Sequence, residues 1–199
     1  MRLAYRYKGG DDGLKKSKAL ILVALLLIFA ILALFAAEEV QRRMYPREFT
    51  EHVEKYAELY EVPEALVYSV ILAESGFDPD AKSHAGAYGL MQLVPDTLDW
   101  LSRLLDEEAP TGEITDPETN IKYGTYYLRH LYNRFGCWDT ALAAYNAGHG
   151  RVGNWLKDSR YSDDGVNLKE IPIDETRNYV NKINKFLKQY EKLYYNEEE

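Results

Sequence analysis

The chain has 199 residues, which is room for one ordinary domain and an appendage. Hydrophobic residues make up 46% and charged residues 28%, a balance that excludes both a disordered acidic chain and a polytopic membrane protein. The formal net charge of −8 argues against a nucleic-acid partner, because proteins that neutralise phosphates usually carry clustered Lys and Arg.

The first feature along the chain is an apolar segment at residues 19–37. Its nineteen residues rise about 1.5 Å each in a helix, which nearly matches a hydrocarbon core of about 30 Å. Residues 1–18 carry six cations against two acids, so we expect a cytoplasmic N-terminal tail, a single-pass anchor in the cell membrane and everything after residue 37 outside. A cleaved signal peptide is the alternative, although its apolar region is normally about 7 to 15 residues and Leu34-Phe35-Ala36 is a poor cleavage site.

A linker at residues 38–48 leads into a predicted, nearly all-α domain at 49–195, followed by an acidic tail at 196–199. Apolar residues at helical spacing from Phe49 to Tyr60 predict a first helix that ends near Pro63. A second helix begins at Pro63 and carries Glu74 on the same apolar stripe as Leu66, Val67, Val70 and Ile71.

The rest of the domain is predicted as helices separated by two loops, at residues 78–89 and 157–174. No strand alternation and no internal repeat is present. The predicted helices begin at Pro95, at Pro117, at Trp138, near Val152 and at Glu175. In the helix from Pro95, Leu98, Leu101 and Leu105 are expected to face inward. Gly136 ends the helix from Pro117, and Gly148 ends the helix from Trp138.

The chain contains one cysteine and four histidines. The single cysteine, Cys137, excludes an intramolecular disulfide, and no Cys/His cluster with metal-ligand spacing accompanies it. We expect Cys137 to be a small residue packed beside Trp138.

Glu74 needs an explanation, because a buried carboxylate without a partner costs several kcal/mol. Burial raises the pKa of a carboxyl group, and the C-terminal end of a helix also disfavours its ionised form. A proton retained near neutral pH is what a general acid requires. Periodicity alone leaves an alternative open, in which Glu74 is exposed at the end of the helix or caps a neighbouring loop by hydrogen bonds.

Four sequence blocks then carry a resemblance. They are Glu74-Ser75-Gly76-Phe77-Asp78-Pro79, then Gly86-Ala87 with Gly89-Leu90-Met91-Gln92, then Ala144-Tyr145-Asn146-Ala147-Gly148, then Ile171-Pro172 with Glu175-Thr176-Arg177 and Tyr179-Val180. In this order the blocks resemble the catalytic domain of lytic transglycosylases of the soluble lytic murein type, related to goose-type lysozyme, over about residues 50–192. The resemblance implies a lysozyme-like helical fold and peptidoglycan glycan strands as substrate.

The resemblance also assigns roles, position by position. The family's catalytic glutamate falls on Glu74, and the tyrosine that approaches it falls on Tyr145. Ser83 and Gln92 would hold the N-acetyl and hydroxyl groups of the sugars, while Asn146 and Glu175 match the floor and polar wall of the site. The full set of expected substrate-binding residues is Ser75, Ser83, Gly89, Met91, Gln92, Tyr145, Asn146 and Glu175.

Some positions favour a plainer interpretation or depart from the family. Core packing suits Met91 better than a sugar contact, and we expect Arg177 to pair with adjoining acids. Val94 stands where many relatives have methionine, and Asp96 where a small residue is common, which puts the sugar contacts beside Gln92 in doubt.

Most glycosidases use two carboxylates, and this sequence offers one good candidate. Asp78 and Asp80 lie nearby but are explained as turn formers. The resemblance implies that Glu74 acts as acid and then as base while the sugar's own C6 hydroxyl attacks, forming a 1,6-anhydro end without metal or organic cofactor. A lysozyme-like hydrolase and a non-catalytic wall-binding scaffold protein remain as alternatives.

Overall fold

The computed structural model describes residues 10–107 and 113–195. The chain divides into two units, Met1–Pro46 and Arg47–Glu199. The first unit contains helix α1, Gly10–Met44. Its part Lys15–Met44 is long and apolar enough to cross a membrane, judged by length and composition. The predicted acidic tail at 196–199 and the first residues of the predicted basic tail lie outside the described residues.

The second unit is helical, and no strand occurs among its described residues, where only the isolated bridges Lys82–Tyr88 and Tyr88–Leu93 pair extended backbone. A π-helical turn at Glu191–Tyr195 follows the last helix. The helices are α2 Thr50–Leu59, α3 Glu64–Glu74, α4 Pro95–Leu104, α5 Pro117–Phe135, α6 Trp138–Ala147, α7 His149–Trp155 and α8 Asp174–Tyr190.

Helix α3 occupies the centre of this unit, packed against α2 and α8, and α6 packs against both α5 and α8. Residues 65–71 of α3 are all buried. Burying one Leu, Val or Ile side chain contributes about 1.5–3 kcal/mol, so α3 is held in place by the core along most of its length. Glu74 is its last residue, and the helix therefore delivers this carboxyl group to the edge of the core.

Helix ends follow the residues that the sequence offers for them. The Asp116 carboxylate accepts a hydrogen bond from the backbone N–H of Thr119 at 2.9 Å, and Pro117 fills the first turn of α5, where a missing N–H costs nothing. Gly136, with φ 73°, terminates the same helix in the left-handed region. The predicted limits of α5 are thus confirmed.

Two predicted details differ. Leu105 lies beyond the end of α4 and is only half-buried, because the backbone turns left-handed at Asp106, with φ 54°. Helix α7 begins at His149 rather than near Val152, because Gly148, with φ 90° and ψ 134°, separates α6 from α7 by one residue. Both differences concern boundaries that depend on a backbone reversal rather than on apolar periodicity.

Candidate active site

A groove opens where the C-terminal end of α3 meets the loop after it and the helices α6 and α8. It consists of two adjoining cavities of about 300 Å³ and about 290 Å³, which share Gln92, Val94, Tyr145 and Asn146. The first is also lined by Glu74, Ser83, Ala85, Ala87 and Glu175. The second extends to Leu93, Thr97, Tyr127, Ala147 and Gly148.

Glu74 presents its carboxyl group to the first cavity. Its Oε1 accepts a hydrogen bond of 2.5 Å from the Tyr179 hydroxyl. Desolvation raises the pKa of this carboxyl from 4.5 to about 7, against the Tyr179 hydrogen bond and the positive charge of Lys182, which both lower it. The geometry fits a general acid better than the exposed helix-end residue that periodicity left open.

The tyrosine that is hydrogen-bonded to Glu74 is Tyr179, which the sequence did not single out for this role. The Tyr145 hydroxyl donates to the backbone carbonyl of Met91 at 2.7 Å. Tyr145 still lines the cavity and is close enough for the charge of Glu74 to raise its pKa, although burial is the larger cause. Helix α8, rather than α6, brings a tyrosine hydroxyl within bonding distance of the carboxyl.

A short loop forms the wall opposite α8 and contributes Ser83 and Gln92. Gln92 adopts a left-handed backbone, φ 50°, and its Nε2 donates to the carbonyls of Ala81 at 3.1 Å and Gly89 at 2.9 Å. The Ser83 Oγ accepts from the backbone N–H of Ala87 at 3.0 Å. These bonds fix both side chains at the groove, where the sequence predicted them.

Asn120 on α5 holds this loop from behind, and sequence reasoning missed it. Its side chain is fully buried; Oδ1 accepts from the Met91 N–H at 2.6 Å, and Nδ2 donates to the carbonyls of Tyr88 at 2.9 Å and Ile114 at 2.8 Å. A Cβ at Gly89, where φ is 76°, would lie 2.4 Å from Nδ2 of Asn120. Glycine is required here because backbone and amide approach so closely.

Three of the expected substrate-binding residues, Ser75, Gly89 and Met91, do not line either cavity, and their contact with substrate stays a prediction. Met91 is fully buried, with Sδ 3.9 Å from the Thr125 hydroxyl. Gly89 is buried against Asn120, and the Ser75 hydroxyl donates to the carbonyl of Leu90 at 2.9 Å. The full burial of Met91 agrees with the core packing that we expected for it.

Helix α8 supplies the remaining wall. Glu175 lines the first cavity, and the Asn146 Oδ1 accepts from the Thr176 hydroxyl at 2.7 Å, which ties α6 to α8. The Arg177 guanidinium pairs with Asp174 and donates to the carbonyl of Ile171 at 2.8 Å, so its predicted ion-pair role is confirmed.

Asp78 and Asp80 lie in the loop that follows α3. The Asp78 carboxylate accepts from the backbone N–H of Asp80 at 3.0 Å, which confirms the predicted turn. Within residues 10–107 and 113–195, no group of three or more His, Cys, Asp or Glu side chains is arranged to hold a metal ion.

Residues 51–167 match the Transglycosylase SLT domain. The chain belongs to this family. It is 37% identical over 143 residues to the soluble lytic murein transglycosylase of Escherichia coli K12, covering 70% of this chain and 22% of that protein. It is 29% identical over 167 residues to the membrane-bound lytic murein transglycosylase C of Haemophilus ducreyi, covering 72% of this chain and 46% of that protein.

Solved structures agree with the SLT assignment. An inactive Glu-to-Gln mutant of the Pseudomonas aeruginosa lytic transglycosylase Slt superposes with a TM-score of 0.66 at 35% identity, covering 75% of this chain and 25% of that one. The complex of a 70-kDa soluble lytic transglycosylase with bulgecin A gives 0.70 at 31% identity, covering 79% and 26%. The predicted mostly helical, lysozyme-like fold is confirmed, in a chain that spans less than half the length of these relatives.

Proposed function

We propose that this SLT-family chain is a peptidoglycan lytic transglycosylase that cleaves the β-1,4 bond between MurNAc and GlcNAc and leaves a 1,6-anhydro-MurNAc end. The observation that carries the proposal is Glu74. Its carboxyl faces the groove, is bonded to Tyr179, and has a pKa raised by desolvation to about 7. A carboxyl with this pKa is protonated often enough at neutral pH to donate to a leaving oxygen.

In the proposed reaction, protonated Glu74 gives its proton to the glycosidic oxygen as the bond from C1 of MurNAc breaks, and GlcNAc leaves with a free hydroxyl. An oxocarbenium-like or acetamido-stabilised intermediate forms on the MurNAc side. The Glu74 carboxylate then removes the proton from the C6 hydroxyl of the same sugar, and that oxygen bonds to C1. The attack is intramolecular and gains from proximity, by as much as about 7–11 kcal/mol for well-oriented groups.

The other groove residues would bind the glycan. Ser83 and Gln92 stand on one wall and Asn146 and Glu175 on the other, with Tyr145 between the two cavities. Hydrogen bonds to the backbone hold Ser83, Gln92 and Tyr145, and a hydrogen bond to Thr176 holds Asn146. The groove therefore offers a preformed polar surface to the N-acetyl and hydroxyl groups of the sugars.

Glu175 supports a second candidate, a lysozyme-like hydrolase. Its carboxyl lines the same cavity as that of Glu74. Inverting and retaining glycosidases both use such a pair, one group as the acid and the other to activate water or attack the sugar. If Glu175 activates water, the product carries a hydrated reducing end instead of the anhydro ring.

The first unit supports a proposal for where the protein is located in the cell. We propose that residues 19–37 anchor the chain in the membrane with residues 1–18 in the cytoplasm, and that residues 49–195 form the catalytic domain on the outer side. Support comes from helix Lys15–Met44, whose apolar window is not buried by protein, and from the excess of basic residues before it.

The test is to incubate the full chain in detergent micelles with purified peptidoglycan and to read the released muropeptides by mass spectrometry. Glu74→Gln is run beside it, with Glu58→Gln on the exposed side of α2 as the matched control. Products one water lighter than hydrolysis products, present with wild type and Glu58→Gln and absent with Glu74→Gln, support the proposal. Hydrated ends favour the hydrolase, and binding without release favours a scaffold protein.

A further inference from the structure

Lys182 is a charged residue beside Glu74 that none of the sequence motifs includes. It lies on α8, and its Nζ donates to the backbone carbonyl of Ala73 at 2.9 Å, across the packed pair α3 and α8. The ammonium also stands 5.6 Å from the centre of the Phe186 ring, a cation–π distance. An exposed lysine usually moves freely in water, whereas this one is bonded to the residue before the proposed acid.

The end of α3 is an unfavourable place for a negative charge. The last carbonyl groups of a helix lack partners within the helix and carry partial negative charge, which opposes ionisation of a carboxyl group beside them. A cation bonded to one of these carbonyls neutralises part of that field. Lys182 does so at Ala73, one residue from the carboxyl group.

We propose that Lys182 is a positioning residue for Glu74: it holds the C-terminal turn of α3 in place and supplies the positive charge that favours the carboxylate once the proton has left. The proposal rests on the proposed function, in which Glu74 must act as an acid and then as a base. The ammonium group of Lys182 lowers the pKa of Glu74, as expected for a cation bonded one residue away from the carboxyl group.

The other groups around Glu74 have different effects. On α8, the Tyr179 hydroxyl bonds the carboxyl directly, and Glu175 adds a second carboxyl to the cavity. On α6, the pKa of Tyr145 lies well above its ordinary value because it is buried and close to Glu74. Among the described residues whose effect on Glu74 is resolved, Lys182 is the one that contributes a positive charge.

The helix provides a matched control. Lys185 is exposed on α8, three residues after Lys182. Lys182→Met and Lys185→Met remove the same charge from the protein and keep a similar length of side chain. Lys182→Arg keeps the charge, so it should rescue whatever the charge contributes.

The first experiment measures kcat against pH for the full chain in micelles, with purified peptidoglycan as substrate. We expect Lys182→Met to move the alkaline limb of the profile, where Glu74 loses its proton, to higher pH, because removing the cation disfavours the carboxylate. Lys182→Arg and Lys185→Met should keep the wild-type limb. About 0.5 M salt should move the wild-type limb toward that of Lys182→Met, since an exposed charge is screened.

The second experiment needs no substrate. The full chain is labelled with ¹³C at the glutamate carboxyl groups, Glu74→Gln identifies the Glu74 resonance by its loss, and the titration midpoint is compared between wild type and Lys182→Met. A higher midpoint in Lys182→Met supports the proposal even if wild type releases no product, which would count against the proposed function alone. Equal midpoints, or an equal movement in Lys185→Met, would overturn it.

Discussion

Replacing Glu74 by Gln should stabilise the folded protein above neutral pH while it abolishes cleavage. The pKa of this carboxyl is about 7 in the folded chain, against 4.5 for an ordinary glutamate. Because one pKa unit corresponds to about 1.4 kcal/mol, ionising the folded state costs about 3 kcal/mol more than ionising the unfolded state. Glutamine keeps the shape of the side chain and has no charge to desolvate.

The direction with pH follows from the raised pKa. The favourable contribution of the protonated group is complete below pH 4.5, is lost as the pH rises towards 7, and does not change further above that. The stability of wild type relative to Glu74→Gln should therefore fall by about 3 kcal/mol between pH 4.5 and 7 and then level off.

The assay is unfolding of the full chain in micelles at a series of pH values, followed by the fluorescence of Trp100, Trp138 and Trp155. Glu58→Gln serves as control, because an exposed glutamate should give a difference close to zero at every pH. Parallel curves for wild type and Glu74→Gln from pH 4 to 9 would refute the reasoning. Such a result would mean that the carboxyl is solvated in the folded state.

Three further predictions concern the groups around this carboxyl. Tyr179→Phe should lower kcat about 10- to 100-fold with little change in KM, since a hydrogen bond to a charged group is worth about 1.5–3 kcal/mol. Tyr145→Phe loses a hydrogen bond to a backbone carbonyl and should have the smaller effect on kcat. A larger effect of Tyr145→Phe would contradict the assignment of Tyr179. Asn120→Ala should lower the free energy of unfolding by about 2–5 kcal/mol in denaturant titrations, because it removes the partner of the Met91 N–H and of the Ile114 carbonyl and one of the two hydrogen bonds to the Tyr88 carbonyl. Gly124→Ala should lower the free energy of unfolding by about 1–3 kcal/mol in the same titrations, since the added Cβ would lie 2.4 Å from the Met91 sulfur. An unchanged unfolding midpoint for Asn120→Ala or Gly124→Ala would contradict these contacts.

The helices could be predicted because the sequence marks their ends with residues of few conformational options. Pro117 and Gly136 limit α5, and Gly148 limits α6, each through backbone geometry that the residue type itself imposes. The burial of α3 followed from its apolar spacing, and the same spacing put Glu74 at the edge of the core.

The partners of Glu74 could not be predicted in the same way. Tyr179 is 105 residues away in sequence, and periodicity says which face of α8 carries it but not which helix that face meets. A signal did exist, because Glu175, Tyr179 and Lys182 are spaced four and three residues apart and so share one side of a helix. The residues on that side were interpreted through the family resemblance alone, which named Tyr145 on α6 as the tyrosine that approaches the carboxyl.

The loop residues were also assigned through the resemblance. Met91 and Gly89 lie in a motif that the resemblance places at the substrate, and their contact with substrate stays a prediction, whereas the same motif contains residues that hold the loop against α5. Asn120 lies outside the four sequence blocks, and its role depends on hydrogen bonds to residues 29 and 32 positions earlier in the chain, which no local pattern indicates. A shared motif marks a local structure, and its individual residues divide between the groove and the core.

The proposed chemistry asks one carboxyl group to be protonated before the bond breaks and ionised afterwards. A carboxyl in water, with a pKa near 4.5, would seldom carry the proton at neutral pH, and a fully buried one without partners would hold it too tightly to act later as a base. Desolvation at the end of α3 pushes the pKa of Glu74 upward, while Tyr179 and Lys182 push it downward, and the balance lies at about 7. Near that value both forms are well populated at neutral pH, so in the proposed reaction one carboxyl can act first as acid and then as base, while the C6 hydroxyl of the sugar takes the place of the second group that most glycosidases use.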